Sequence, residues 1–295
     1  MTAGAGAPEF ATAGGWPATE ELWGRGRRPY TGVAGRAGLS YARATIRLLA
    51  IVAWTGAWYG ALLAGWRLAP GSLGRRDAWR RLVFRRWARG VVRILGARIT
   101  IRGNPPEGSA FLVSNHLSYF DIVVFASCMD TTFVAKREVA SWPVLGPLAR
   151  AMRTILVDRR DRMALPHVNA EIEQVILEGR SVILFPEGTS TPGHGILPLK
   201  PALLDWAARR VHPVHFATVS YRTAAGSGHA SELVCWWGEM TLLSHLIDLA
   251  ALPGFEATVA FGTAPLRDDQ RGRLALRLRE AMLRDFTPVT THGSQ

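Results

Sequence analysis

The sequence predicts an α/β fold, a mixed and largely buried sheet flanked by helices and preceded by N-terminal membrane-associating helices. Three observations carry this. From about residue 97 onward, short β-branched apolar runs alternate with longer stretches of helical periodicity, the pattern of a sheet buried between helical layers. Ahead of them, residues 48–66 (LLAIVAWTGAWYGALLAGW) carry no formal charge. Between the two, residues 75–95 place apolar side chains three and four apart among many arginines.

Taken in order, residues 1–40 are rich in Gly, Ala, Pro and Thr without sustained periodicity, and read as a flexible N-terminal tail. Residues 41–96 read as membrane-anchoring and basic amphipathic helices. The run 48–66 is long enough to cross a bilayer core if helical, and Trp54, Trp58, Tyr59 and Trp66 suit lipid. It starts too far from Met1 for the core of a signal peptide. Spanning, lying in the membrane plane and packing as a buried helix on the soluble domain all fit it. If it spans, the arginine excess after it places the downstream domain in the cytoplasm, although Arg43 and Arg47 before it weaken that rule.

In 75–95, Trp79, Leu82, Val83, Trp87, Val91, Ile94 and Leu95 form one helical face, while Arg75, Arg76, Arg80, Arg81, Arg85, Arg86, Arg89 and Arg93 fill most of the rest. Such a helix suits an anionic lipid surface, with stems buried and guanidinium heads at phosphates. Residues 97–285 form the expected main domain, followed by a C-terminal tail at 286–295. Strands are expected at ARITI, AFLVS, TTFVA, TILVD, SVILF, VHFATVSY, LVCWW and ATVAF. Helices are expected at LPHVNAEIEQVILEG and RGRLALRLREAML.

Composition narrows function. With 48% hydrophobic residues and 11 Trp the chain is no disordered protein, and its net charge of +12 points to an anionic partner: nucleic acid, an acidic protein or a membrane surface. A nucleic-acid binder explains the charge, but tryptophan-rich amphipathic periodicity beside a long apolar run explains charge and hydrophobicity together. Lys136 and Lys200 are the lysines; the remaining basic residues are arginines, as GC-rich coding also yields. Cys128 and Cys235 lack metal-ligand spacing, so neither a zinc site nor a disulfide framework is expected.

Polar residues cluster where expected strands stop: His116, Lys136, Asp158, Arg159 and Glu187. Loops at strand ends of open α/β sheets point side chains into a shared crevice. In NHLSYFD, residues 115–121, His116 and Asp121 would point about 140° apart on one continuous helix, so they meet only across a turn. Asn115 and Ser118 favour such a turn, with Asp121 in the first turn of the following helix. A met pair fixes the imidazole tautomer and leaves a base for a hydroxyl proton. Structural residues in a turn are the plain alternative. No Gly-x-Ser-x-Gly elbow is present, and Ser118 reads as a cap rather than a nucleophile. ILFPEGTSTPGHG, residues 183–195, ends a strand at Pro186 and opens a glycine-rich loop headed by Glu187.

In combination, NHLSYFD, FVAKREVASWPVLGPLARAMRTILVDR, ILFPEGT and the proline of VHPVHFATVSY resemble the four motif blocks of the glycerophospholipid acyltransferase family, which includes 1-acylglycerol-3-phosphate acyltransferases. The resemblance covers roughly residues 97–261. WWGEMTLLSHLIDLAALPG resembles the bacterial branch that also contains lyso-ornithine lipid acyltransferases. It implies a fold of that family, His116 as general base with Asp121 orienting it, and direct attack on an acyl thioester without a covalent intermediate. It also implies acceptor binding by Lys136, Arg159, Glu187, Gly188 and Thr189. The implied co-substrate is acyl-CoA or acyl carrier protein, with no cofactor, metal or nucleic acid, and the leading acceptor is 1-acylglycerol-3-phosphate in the bacterial inner membrane. One departure stands out. Many phosphatidic-acid-forming members carry arginine directly after Glu-Gly-Thr, and this chain has Ser190. A neutral hydroxyl does not replace a bidentate guanidinium, so the acceptor has another head group, or its phosphate is held by Lys136, Arg137, Arg153 or Lys200.

Overall fold

A long helical hairpin leads into the sheet. The computed structural model describes residues 39–68, 73–142, 145–157 and 164–289. The expected tail before residue 39 and Arg159 lie outside the described residues. Helix α1, Leu39–Leu68, begins well before the apolar run and returns as α2, Leu73–Ile94. Glycines allow the two to pack closely: a Cβ on Gly90 would overlap the Trp54 indole, and one on Gly65 that of Trp79. The indoles then bond across the hairpin, Trp54 to the Trp87 carbonyl at 3.0 Å, Trp87 to Thr55 Oγ1 at 3.0 Å and Trp79 to the Ala61 carbonyl at 3.1 Å.

The arginines of α2 differ from expectation. Helix α3, Phe120–Cys128, ends against α2, and its last carbonyls need donors. Arg85 donates to the Cys128 carbonyl at 2.8 Å, Arg89 to that of Ser127 at 3.2 Å, and Arg81 pairs with Asp130 at 2.9 Å. Arg80 is buried and donates to the Met152 carbonyl at 2.9 Å. These four hold α2 to the domain, while Arg75, Arg76, Arg86 and Arg93 face outward.

The strands are β1, Ala97–Arg102; β2, Phe111–Ser114; β3, Thr132–Lys136; β4, Ile155–Val157; β5, Val182–Leu184; β6, Val214–Thr223; and β7, Phe255–Phe261. They form one seven-stranded sheet in the order β1-β7-β6-β2-β5-β3-β4. It is mixed because β6 and β7 run antiparallel, while every other neighbouring pair is parallel. Alternation feeds two cores. Leu112, Ile183, Ala217 and Val219 pack with α2, α3 and helix α8, Leu242–Ala251. Phe111, Val113, Val182, Leu184, Val214 and Phe216 pack against α5, Ala164–Leu177, α6, Asp205–Arg209, and α9, Arg271–Asp285. The central strand β2 is buried on both faces, so side chains just past its end are held on a rigid base. The short helix α4, Leu145–Ala151, precedes β4.

LVCWW is not a strand. Helix α7, Ala230–Leu233, closes in a turn where the N–H groups of Val234 and Cys235 both donate to the Ala230 carbonyl at 2.9 Å, and Trp236 N–H goes to the Leu117 carbonyl at 2.8 Å. Val234 and Cys235 are fully buried; a short apolar run reports burial, which a turn satisfies as well as a strand. Packing also continues past α9, since Phe286 and Val289 are buried and Val289 N–H donates to the Gly193 carbonyl at 2.8 Å.

Candidate active site

At the carboxyl end of β2 the chain leaves the sheet by substituting a side chain for the ladder. Asn115 is fully buried, its amide donating to the Val219 carbonyl at 2.9 Å and its oxygen accepting Val219 N–H at 2.8 Å. Strand β6 stays paired while the backbone turns away, and His116 comes out above the sheet edge.

The turn expected between His116 and Asp121 is present. Asp121 N–H donates to the Ser118 carbonyl at 3.1 Å and Asp121 lies in the first turn of α3. His116 Nδ1 meets Asp121 Oδ2 at 2.7 Å. The same oxygen accepts the N–H groups of Leu117 at 2.7 Å and Ser118 at 3.1 Å, and Oδ1 accepts the Tyr221 hydroxyl at 2.6 Å. A fully buried carboxyl group with four donors is fixed in orientation. Because Nδ1 carries the proton to Asp121, Nε2 holds the lone pair and has no hydrogen-bond partner among the described residues. The His116 side chain is 21% exposed where Asp121 is 0%, so the imidazole, and not the carboxylate, reaches the surface. Its ring stacks on Phe185, centroids 4.3 Å apart. Ser118 is buried, and its Oγ accepts Phe120 N–H at 3.3 Å, which makes it a helix-start residue.

The glycine-rich loop after β5 binds the backbone of His116 from both sides. Glu187 Oε1 accepts His116 N–H at 2.7 Å, and Thr191 N–H donates to the His116 carbonyl at 3.0 Å. Glu187 Oε2 accepts Leu197 N–H, also at 2.7 Å. Burial pushes the Glu187 carboxyl up to about 8, against the pull of these two donors. Its oxygens are engaged within the protein, so Glu187 braces the loop on the His116 turn and does not face the crevice. Gly188 takes φ +74, and a Cβ there would stand 2.5 Å from Lys200 Nζ, so the missing side chain makes the slot in which Lys200 lies. Gly188 N–H is taken by the Phe185 carbonyl at 3.1 Å, which removes it as an oxyanion donor. Thr189 Oγ1 lies 3.5 Å from the Ser190 carbonyl.

Lys136 ends β3, exposed and on the same edge of the sheet, with Arg137 next to it. Arg153 does not belong here. It precedes β4, at the amino ends of the strands, and pairs with Asp77 at 3.1 Å. Sequence reasoning missed Tyr221 and a second wall: Tyr119 Oη lies 3.0 Å from His245 Nδ1, and His245 Nε2 donates to the Cys235 carbonyl at 2.9 Å. Burial lowers the His245 pKa to about 4, so the ring is neutral and accepts from Tyr119. Trp236 packs edge-on to Tyr119 and to Trp142. Among the described residues, no group of His, Cys, Asp and Glu has the arrangement of a metal site, and Cys128 and Cys235 are buried and unpaired.

A base on a buried carboxylate beside an anchored glycine loop can accept a proton from a hydroxyl held in the crevice. Comparison with known proteins bears on this arrangement. A family model described as Acyltransferase matches residues 98–222. The chain is 34% identical to the lyso-ornithine lipid O-acyltransferase of Brucella abortus over 68% of its length and 79% of the relative's. It is 28% identical to the 1-acyl-sn-glycerol-3-phosphate acyltransferase of Neisseria meningitidis over 56% of its length and 65% of the relative's. The fold is similar to the crystal structure of the 1-acyl-sn-glycerophosphate (LPA) acyltransferase PlsC from Thermotoga maritima, with TM-score 0.56, 18% identity, and coverage of 80% of this chain and 95% of that one.

Proposed function

The chain belongs to the acyltransferase family, and from that premise we propose that it is a lysolipid O-acyltransferase in which His116 is the general base. The observation that carries the reading is the 2.7 Å contact of His116 Nδ1 with the buried Asp121, which leaves Nε2 toward the crevice. In the proposed reaction His116 Nε2 takes the proton of the acceptor hydroxyl as its oxygen attacks the carbonyl carbon of an acyl thioester. Asp121 stabilises the imidazolium that forms. The tetrahedral oxyanion then collapses, the carbon–sulfur bond breaks, and the imidazolium returns the proton to the leaving thiolate. Holding acceptor and thioester together supplies much of the rate by itself. The N–H groups of Thr189 and Ser190 have no internal partner among the described residues and are the candidate donors to the oxyanion. The thioester is that of acyl-CoA or acyl carrier protein, and no cofactor takes part.

For the acceptor, two observations favour a lyso-ornithine lipid: Ser190 in place of a phosphate-binding arginine, and the 34% identity to the Brucella abortus enzyme against 28% to the Neisseria meningitidis one. The second reading, 1-acylglycerol-3-phosphate, is supported by the two lysines, Lys136 beside the crevice and Lys200 on Gly188. Both are acylated at a hydroxyl by the same chemistry. The proposal includes membrane attachment through α1, whose stretch Ser40–Arg67 holds a segment long and apolar enough to cross a membrane, little of it buried. Arg43 and Arg47 near its start bond the carbonyls of residues 250–253, and Ala61 near its end bonds Trp79. A helix held to the domain along its length fits one lying in the membrane surface, outer side in lipid, with the catalytic domain on the cytoplasmic side. The test is an assay of the purified membrane protein against lyso-ornithine lipid, 1-acylglycerol-3-phosphate and neutral lysolipids, each with acyl-CoA and with acyl carrier protein. Hydrolysis of the thioester without transfer to any acceptor would overturn the proposal.

A further inference from the structure

Helix α8 connects α1 to the catalytic turn. On its inner side His245, Asp248 and Leu249 are buried, and His245 bonds Tyr119, two residues before Asp121. On its outer side stand Leu243, Ile247 and Ala250, four and three residues apart and therefore aligned along one face. Helix α1 lies against the later part of that face. Arg43 donates to the Ala251 carbonyl at 3.0 Å and Arg47 to those of Ala250 and Leu252, while Ala250 and Ala251 are buried and Ile247 packs into the same core as Ala44 and Leu48. The first turn of α8 extends past this cover. There Leu243 is 69% exposed, one turn beyond Ile247.

We infer that the first turn of α8, with Leu243 at its tip, is a second membrane-inserting element, continuous with the outer side of α1. This rests on the reading of α1 as lying in the membrane surface. The occupant is lipid because the helix packed on α8 is α1, whose outer side carries Ile46, Leu49 and Val52, each about two-thirds exposed. Glu239 and Thr241, exposed just before α8, set the water side of the insertion, so the penetration is shallow and carries Leu243 alone past the head groups. An apolar side chain moved from water into the acyl region contributes roughly what its burial in a core would. The consequence lies in the connection behind it. The helix that touches lipid holds Tyr119 through His245, and Trp236, which packs on Tyr119, stands on the same wall. A lysolipid leaving the bilayer at α8 therefore meets this aromatic wall next to the turn that carries His116.

The test uses single cysteines, since Cys128 and Cys235 are buried and the unsubstituted protein gives the labelling blank. Val52→Cys, Leu243→Cys and Leu177→Cys are spin-labelled in the full-length protein on phosphatidylethanolamine–phosphatidylglycerol vesicles, and collision with oxygen is compared with collision with a water-soluble nickel chelate. Leu177 is exposed at the end of α5, away from α1. The expected result is an oxygen-to-nickel ratio severalfold higher at positions 52 and 243 than at 177. A lipid signal at 52 with a water signal at 243 overturns the inference and leaves the placement of α1 standing. Water signals at both overturn the two together.

Discussion

Replacing Tyr221 with phenylalanine removes one oxygen and keeps the ring that packs between Phe120 and Phe255. What is lost is the 2.6 Å hydrogen bond to Asp121 Oδ1. Oδ2 keeps its three donors, but Oδ1 has no other among the described residues, and it lies where water does not reach. A hydrogen bond to a buried charged group contributes about 1.5–3 kcal/mol. Desolvation and the adjacent carboxylate raise the Tyr221 hydroxyl well above its usual range, so it remains the donor throughout the working pH range. If the carboxylate is needed in full where the imidazolium forms, the loss falls on the chemical step, and kcat drops between about tenfold and a hundredfold. KM should change little, because Tyr221 is fully buried and touches no substrate. Steady-state kinetics on mixed micelles separate the two, and thermal unfolding should show a loss of roughly 1–3 kcal/mol. An unchanged kcat, or an effect confined to KM, would refute the view that Tyr221 holds the dyad.

Glu187 makes a second, pH-dependent prediction. Its carboxyl titrates near 4.5 when unfolded and near 8 in the fold, so between these values the folded state keeps a proton that the unfolded state has released. Stability from this group is therefore complete below pH 4.5 and falls as pH rises to 8. Glu187→Gln should flatten that slope when urea midpoints are compared at pH 5.5 and 8, and should cost about 1–3 kcal/mol at the lower pH because its NH2 opposes a backbone N–H; an unaltered slope would count against a buried, proton-holding brace. Ser190→Arg should move the ratio of kcat/KM toward 1-acylglycerol-3-phosphate and away from lyso-ornithine lipid by about tenfold, since the new cation attracts phosphate and repels the ornithine ammonium. No movement in that ratio would separate residue 190 from the acceptor head.

The layered sheet was readable because β2 and β5 are short apolar runs whose successive side chains enter the two cores in turn. LVCWW carried the same signal and became a turn, because its amides found Ala230 and Leu117 in place of a ladder. The start of α1 was hidden by Arg43 and Arg47, which look like the end of an apolar segment until the carbonyls of residues 250–253, some two hundred positions on, supply their partners. At the site, the meeting of His116 and Asp121 was legible from the turn formers between them. Tyr221 was not, although it is a polar residue in phase with the inward Ala217 and Val219 of β6. Glu187 was recognisable as important, but its sequence context does not tell a brace from a ligand; the His116 and Leu197 amides decide that.

The central claim is that His116 removes the acceptor proton, and His116→Ala tests it most directly. The protein should still bind vesicles and unfold at a similar temperature, since the His116 backbone bonds to Glu187 and Thr191 survive the change. Acyl transfer from thioester to lysolipid, followed with labelled acyl chains, should fall by at least about a hundredfold, the usual scale of general-base catalysis. Transfer within a few-fold of the unsubstituted enzyme, in a folded and membrane-bound variant, would contradict the account.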